Sequence, residues 1–219
     1  MWSTSQNYGR TFIGLESGSP YVALTYDDGP NDPWTQRLLE VLDRRSVKAT
    51  FFLIGRFVAQ RPDIARDIAQ AGHAIGLHSW DHRKRFFARD CEVRLQIDET
   101  RHAGLDATGI DSNLFRPPFG ALRPGALRII RDAGIEPIMW SVTAHDWKPT
   151  TAEKVVANIE RQMSGGDVIL MHDGGYNAMG AARSHSVQAT DQIVTRYLSN
   201  GFEFLTIPEM MKKQRAIRS

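Results

Sequence analysis

The sequence predicts an α/β chain of parallel βα units gathered into one barrel-like sheet, and three observations carry that prediction. Short apolar, β-rich runs alternate with longer helical patterns along nearly the whole length. The strand-like runs never follow one another as consecutive hairpins, which argues for crossover connections. At about 150 residues per domain, 219 residues without a linker, repeat or composition shift make one domain. A doubly wound open sheet satisfies the same pattern and stands as the alternative.

Taken in order, a strand over 21–26 leads into a helix over 33–45. There Leu38, Leu39, Val41 and Leu42 supply the apolar positions, and Asp32 stands as N-cap. A strand over 49–54 precedes a helix over 62–71, opened by Pro62 in its first turn and stopped at Gly72. The strand over 73–77 is followed by a helix over 91–107, with Val93, Leu95 and Ile97 set among charges. A short strand over 114–116 leads to a helix over 124–133 that also ends at a glycine, Gly134. A strand over 137–142, a helix over 151–163, a strand over 168–171, a helix over 187–198 and a strand over 202–206 complete the alternation. A tail helix starts near Pro208. The domain proper is read as 20–207, between an N-terminal extension of 1–19 and a tail helix of 208–219.

With 42% apolar and 24% charged residues the composition is that of a globular protein, which excludes a fibre or a disordered chain. The single cysteine, Cys91, excludes an intramolecular disulfide and a cysteine-rich zinc cluster. Twenty-seven basic residues against 25 acidic ones leave a net charge of +2, and no basic block tracks a phosphate backbone. Nucleic acid is therefore not an expected partner. No stretch approaches the roughly 18 to 20 apolar residues that cross a bilayer. The start of the chain lacks the basic residues and apolar run of a secretory signal. The expectation on that basis is cytoplasmic, with a trimmed secreted form equally compatible, and oligomeric state is left open.

Polar residues gather where the strands end. The first strand runs out into Thr25-Tyr26-Asp27-Asp28-Gly29-Pro30, the third into His78-Ser79-Trp80-Asp81-His82, the fourth into Arg116-Pro117-Pro118-Phe119-Gly120. His145-Asp146-Trp147 follows the fifth, and the sixth finishes as Leu170-Met171-His172-Asp173. These ends deliver Asp, His and Arg to one rim, the rim that carries chemistry in parallel βα barrels. Adjacent carboxylates at Asp27 and Asp28 are costly to hold together without a positive charge beside them, which a divalent cation supplies. His78 and His82, spaced i, i+4, would aim both imidazoles at one spot from a single helical turn. Two histidines and a carboxylate form a common catalytic zinc set with positions left open. Alone, Asp-Asp-Gly-Pro reads equally as a turn and helix cap, and His-x-x-x-His as a helix face. Their joint placement at strand ends favours a metal site.

The chain resembles the polysaccharide deacetylases of NodB-homology type, carbohydrate esterase family 4, from about residue 20 to residue 207. The family's five motifs are matched in order by the segments at Thr25–Pro30, His78–His82, Arg116–Gly120, Thr143–Trp147 and Leu170–His172. The departures are Thr143 at the first, usually acidic, position of the fourth motif, Phe119 where Tyr is frequent, and Leu77 where Asn is common. The resemblance implies a distorted (β/α)7 TIM-like barrel. It implies further that Asp28, His78 and His82 hold a divalent metal, zinc first, with cobalt or nickel as alternatives. Asp27 would then be the general base for the attacking water, held by Arg116. His172 would be the general acid for the departing amine, with Asp146 favouring its charged form. The Phe119 N–H would be an oxyanion donor, Gly120 would belong to the substrate-binding site, and Trp147 and Leu170 would wall a slot for the acetyl methyl.

The activity so implied is removal of N-acetyl groups from a GlcNAc-containing saccharide of chitooligosaccharide or peptidoglycan type. An O-acetyl xylan esterase or a sugar-lipid deformylase would use the same site. A non-catalytic saccharide-binding module is the reading from a different class. Outside the motifs, His73, His102, His145 and His185 are assigned to structure or surface. Two loops are candidates for specificity: Gly174 through Ser186, and Trp80 through Phe87 with its three consecutive basic residues.

Overall fold

A computed structural model of the chain describes residues 11–83 and 89–218. The first ten residues and 84–88, within the basic and aromatic loop, lie outside the described residues. Eight short strands form one sheet: β1 (Tyr21–Asp27), β2 (Thr50–Leu53), β3 (Ala74–Leu77), β4 (Leu114–Phe115), β5 (Glu136–Pro137), β6 (Val142–Thr143), β7 (Val168–His172) and β8 (Glu203–Phe204). Their order is β5-β4-β3-β2-β1-β7-β6, with β8 on the start of β1, and every ladder between them is parallel. The helices are α1 (Trp34–Arg44), α2 (Gly55–Gln60), α3 (Pro62–Gln70), α4 (Asp90–Thr108), α5 (Pro124–Asp132), α6 (Ala152–Glu160), α7 (Ser184–Ser199) and α8 (Ile207–Arg218). This is the distorted barrel of βα units that the sequence implied.

The strand expected over 137–142 is two strands on opposite sides of a seam. Ile138 N–H still donates to the Phe115 carbonyl, whereas Ser141 and Ala144 donate to the Val168 and Leu170 carbonyls. The chain crosses the seam at Met139 and Trp140, where neither neighbouring strand accepts it. A segment near the N-terminus covers the gap: Phe12 bridges to Ile138, and Gly14 to Asp167. Apolar runs alone cannot register such a crossing, because strand and crossover are equally hydrophobic.

Two further expectations are corrected. Asp32 does not cap α1: the helix begins with Thr35 N–H on the Asn31 carbonyl, and Asp32 pairs with Arg61 at 2.5 Å. The six-residue helix α2 was not foreseen, being too short to display a helical period.

Side chains alternate between the two faces of each strand. The outer face packs Leu24, Tyr26, Phe51 and Met171 against Leu38 and Leu42 of α1, Ile68 of α3, Ile159 of α6 and Ile193 of α7. Each such buried side chain contributes about 1.5–3 kcal/mol relative to exposure. The inner face holds a smaller cluster of Phe12, Ala23, Phe52, Leu114, Ile138 and Val168, closed from below by Leu205, Ile207 and Met210. Residues 11–19 and the tail helix therefore pack into the barrel floor. On the same inward face, nearer the strand ends, stand Thr25 and Asp27 on β1, Arg116 just past β4, and Leu170 and His172 on β7. The polar site is the upper layer of the interior whose lower layer is apolar.

Candidate active site

Asp27 and His172 are register partners on β1 and β7, so adjacent strands carry them side by side on the inner face. Each is held by a buried group of opposite charge. Arg116 Nη1 donates to Asp27 Oδ1 at 2.8 Å and to Thr25 Oγ1 at 2.7 Å, while Nη2 donates to the Met139 carbonyl at 3.1 Å. That carbonyl is available because the chain crosses the seam there. The guanidinium also lies 4.1 Å from the centre of the Phe52 ring. Gly76 makes this stack feasible, since a Cβ there would come within 2.4 Å of the Phe52 ring. Arg116 is fully buried, and burial lowers its pKa while Asp27 opposes that shift.

His172 is held from the other side. Its Nδ1 lies 2.8 Å from Asp146 Oδ1, and its backbone N–H donates to Asp146 Oδ2 at 2.9 Å. Ser186 Oγ donates to the same Oδ2 at 2.7 Å, and His185 Nε2 lies 2.8 Å from the Asp146 carbonyl oxygen. Burial alone would push the His172 imidazole down, but Asp146 leads the carboxylates that outweigh it, and its pKa rises to about 9. Burial likewise pushes Asp146 up, yet His172 and these hydrogen bonds hold it below the ordinary carboxylate range. The result is an imidazolium at neutral pH with its Nε2 proton uncommitted to Asp146.

Asp28, His78 and His82 offer ligand atoms that all lie within 4.8 Å of one another, and all three are buried. His78 Nδ1 lies 2.7 Å from the Arg116 carbonyl, which fixes Nε2 as the inward nitrogen. That Nε2 lies 3.6 Å from Asp28 Oδ1, and His82 Nε2 lies 3.3 Å from the same oxygen. Asp28 Oδ1 itself is buried without a hydrogen-bond partner. Burial pushes the imidazoles down, to about 3 for His78 and about 2 for His82, and pushes Asp28 up to about 7. Two neutral imidazoles and an orphaned carboxylate oxygen aimed at one point suit a divalent cation.

The convergence does not come from a helical turn between His78 and His82, as the spacing suggested. Residues 78–82 form a loop in which Ser79 (φ 61°) and His82 (φ 53°) are left-handed. Asp28 (φ 75°), Phe119 (φ 58°) and His145 (φ 56°) share that conformation in neighbouring loops. Bulky residues adopt it only when the surroundings over-determine it, and it concentrates at functional sites.

These groups open into a cavity of about 810 Å³ whose walls include Phe119, Trp140, Trp147, Leu170 and Tyr176. The Phe119 ring meets His82 edge-on at 4.6 Å, and Trp147 meets His172 edge-on at 5.4 Å. Gly120 is not part of the wall: a Cβ there would come within 2.7 Å of Trp140, so this glycine admits the indole from behind. Sequence reading overlooked Thr25, although it opens a motif and shares the face of Asp27. It also overlooked Ser186, which no local signal marks. His185, assigned to structure, supports the Asp146 turn. Asp173 is fully enclosed beneath the Asp28 loop, where Thr35 Oγ1 donates to its Oδ2 at 2.5 Å.

The sequence pattern of the polysaccharide deacetylase family matches residues 15–138, ending before Asp146 and His172. A peptidoglycan N-acetylglucosamine deacetylase of Listeria monocytogenes is 35% identical over 189 residues, 86% of this chain, which spans 38% of that protein's length. A chitooligosaccharide deacetylase of Azorhizobium caulinodans is 31% identical over 85% of this chain and 92% of its own. Among solved structures, the Bc1960 peptidoglycan N-acetylglucosamine deacetylase superposes with a TM-score of 0.85 at 32% identity, covering 91% of each chain. An acetyl xylan esterase of Clostridium thermocellum, solved with a cobalt ion, gives 0.80 at 32% identity, covering 88% of this chain and 90% of that one. A pseudoenzyme of the same esterase family from Bacillus anthracis gives 0.84 at 28%, covering 92% and 68%. Sequence pattern, relatives and fold agree: the chain belongs to the polysaccharide deacetylase family.

Proposed function

We propose that this protein is a metal-dependent hydrolase that removes N-acetyl groups from a GlcNAc-containing saccharide. The observation that carries the reading is the opposed pair of Asp27 and His172 flanking the Asp28, His78 and His82 cluster. A carboxylate fixed by a guanidinium faces an imidazolium fixed by a carboxylate, across a group of ligand atoms that fits a cation. A binding module has no use for that opposition.

Asp28, His78 and His82 would hold the cation, for which zinc, cobalt and nickel are candidates. A divalent metal there supplies Lewis acidity toward the acyl oxygen and acidifies the attacking water. Arg116 occupies Asp27 Oδ1, which leaves Oδ2 to take the proton from that water. His172 Nδ1 is committed to Asp146, so Nε2 carries the proton delivered to the departing nitrogen. An amine leaves poorly unless protonated, and this is the step a raised His172 pKa serves. Leu170 and Trp147 would enclose the acetyl methyl, a contact that discriminates one methylene by about 1–3 kcal/mol.

Acetate release from N-acetylchitooligosaccharides, on protein stripped with chelator and then reloaded, tests the reading. Activity is expected to vanish with the metal and return with zinc or cobalt. Folded, metal-loaded protein that releases no acetate from any N-acetylated saccharide would overturn it. The likeness to the acetyl xylan esterase favours a second reading, O-deacetylation, and acetylated xylan belongs in the same assay.

A further inference from the structure

The two histidines of the Asp28 cluster are oriented by different means. His78 Nδ1 lies 2.7 Å from the Arg116 carbonyl, the kind of hydrogen bond that ordinarily sets the ring of a metal-binding histidine. His82 Nδ1 is buried, and no other described residue hydrogen-bonds it. Its ring is held among aromatic rings instead. Tyr176 stacks on it with centroids 4.8 Å apart and planes 22° from parallel, and Phe119 meets it edge-on at 4.6 Å. Tyr176 and Phe119 are 39% and 45% exposed, whereas the imidazole they cover belongs to a residue only 5% exposed. We propose that Tyr176 is a positioning residue for His82, its ring contact standing in for the missing hydrogen bond, and that Arg56 holds Tyr176 in place. The proposal rests on the reading of Asp28, His78 and His82 as a metal-holding cluster, and adds two residues outside the motifs that tune it.

Arg56 is suited to this because it grips both loops concerned. Its backbone N–H donates to the Trp80 carbonyl at 3.0 Å, and that of Gly55 to the Ser79 carbonyl at 3.0 Å, so the start of α2 holds the loop that carries His82. Its Nη2 donates to the carbonyls of Tyr176 at 2.5 Å and Asn177 at 3.2 Å, which holds the loop that carries Tyr176. The guanidinium lies 4.7 Å from the centre of the Phe57 ring, a contact that steadies it. From the other side Asn31 fastens the same loop. Its Nδ2 donates to the carbonyls of Asp173 at 2.8 Å and Ala181 at 2.9 Å, and the Gly180 N–H donates to its Oδ1 at 2.6 Å. The loop is thus pinned through its backbone, and the Tyr176 ring is left to rest on the imidazole. A stacked ring fixes the plane of its neighbour, and the plane of an imidazole decides where its Nε2 lone pair points. That Nε2 is the atom 3.3 Å from Asp28 Oδ1.

The test is zinc affinity, measured without saccharide by competition with a chromophoric chelator, for wild type, Tyr176→Ala, Tyr176→Phe, Arg56→Gln and the Arg56→Gln/Tyr176→Ala double variant. Tyr176→Ala is expected to weaken zinc by about 3- to 10-fold, the worth of an aromatic pair, and Tyr176→Phe to stay within about 2-fold of wild type. Arg56→Gln should weaken it by about 2- to 3-fold, and the double variant should be no worse than Tyr176→Ala, because the arginine acts through the ring. The visible absorption of the cobalt-loaded proteins should shift in Tyr176→Ala and be restored in Tyr176→Phe. Urea unfolding of the metal-free proteins should be unchanged. An affinity and a cobalt spectrum in Tyr176→Ala equal to wild type overturn the positioning role and leave the hydrolase reading standing. A loss of affinity matched by an equal loss of metal-free stability marks a structural role and overturns it as well. Additive losses in the double variant remove Arg56 from the proposal. Wild type that binds neither zinc nor cobalt overturns the metal cluster itself, whereas zinc binding that depends on Tyr176 without acetate release upholds the positioning role and overturns the hydrolase reading.

Discussion

The mouth and the floor of the barrel interior are built from the same strands, a few residues apart, under opposite rules. β1 carries Ala23 below and Asp27 above; β7 carries Val168 below and His172 above; Leu114 lies below and Arg116 just beyond the end of β4. The floor is apolar and closed by shape, with Ile138, Val168 and Met210 fully buried. The mouth is equally enclosed at Arg116 and Asp146, both 0% exposed, but its contents are charged. Burial is therefore not what distinguishes the layers. The floor needs only volume, whereas every charge in the mouth needs a named partner, and the partners come from four strand ends.

That contrast is open to direct attack. The largest effect is expected at the base. Asp27→Asn keeps the shape and the Arg116 contact, and should lower kcat by about 100- to 10,000-fold. Metal content measured on the same preparation should be unchanged. Substantial residual activity would remove Asp27 from its role.

Arg116→Met should destabilise the fold by about 3–5 kcal/mol, because it leaves Asp27 buried without its cation. Urea unfolding of both proteins checks this, and a stability within 1 kcal/mol of wild type contradicts the claim that mouth charges need their partners. Met210→Ala in the floor should cost about 2–5 kcal/mol through the cavity it leaves. Its kcat per folded molecule should match wild type, so lost turnover would show that the layers are not independent.

The smallest change is expected from Asp146→Asn, and it is one of pH dependence. An acid works only while protonated, and His172 holds its proton up to about pH 9, as Asp146 helps it do. Without that negative charge, burial pulls the imidazole down, so the alkaline limb of kcat/KM should move to lower pH. Activity at pH 8 should then fall by a larger factor than activity at pH 6. A limb that stays in place means that another group sets it.

Much of the mouth was legible in the sequence because its residues sit at strand ends within recognisable motifs. Asp27, Asp28, His78, His82, Arg116, Asp146, Leu170 and His172 all meet at the cavity or directly behind it. What escaped was whatever depends on backbone path. The left-handed turns at Ser79 and His82 carry no signature, since no glycine marks them and only a few per cent of other residues adopt that region. The seam at Met139 looked like continuous strand because its residues are as apolar as their neighbours. Gly120 read as a site residue from its motif; its lack of a side chain leaves room for Trp140, a contact that only the fold reveals. Ser186 reaches Asp146 across 40 residues of sequence, a relation visible only in three dimensions.

The closure of the floor also bears on how the domain can be joined to other chains. Phe12 and Met210 are nearly 200 residues apart yet share one cluster, and Gln214 on the tail helix donates to the Gly14 carbonyl at 3.4 Å. The stretches near both ends thus lie together on the side opposite the cavity. Such an arrangement suits a portable unit, because the two stretches lie close together and away from the cavity. It also gives the floor contacts of very large sequence separation, the kind whose loop-closure cost slows folding.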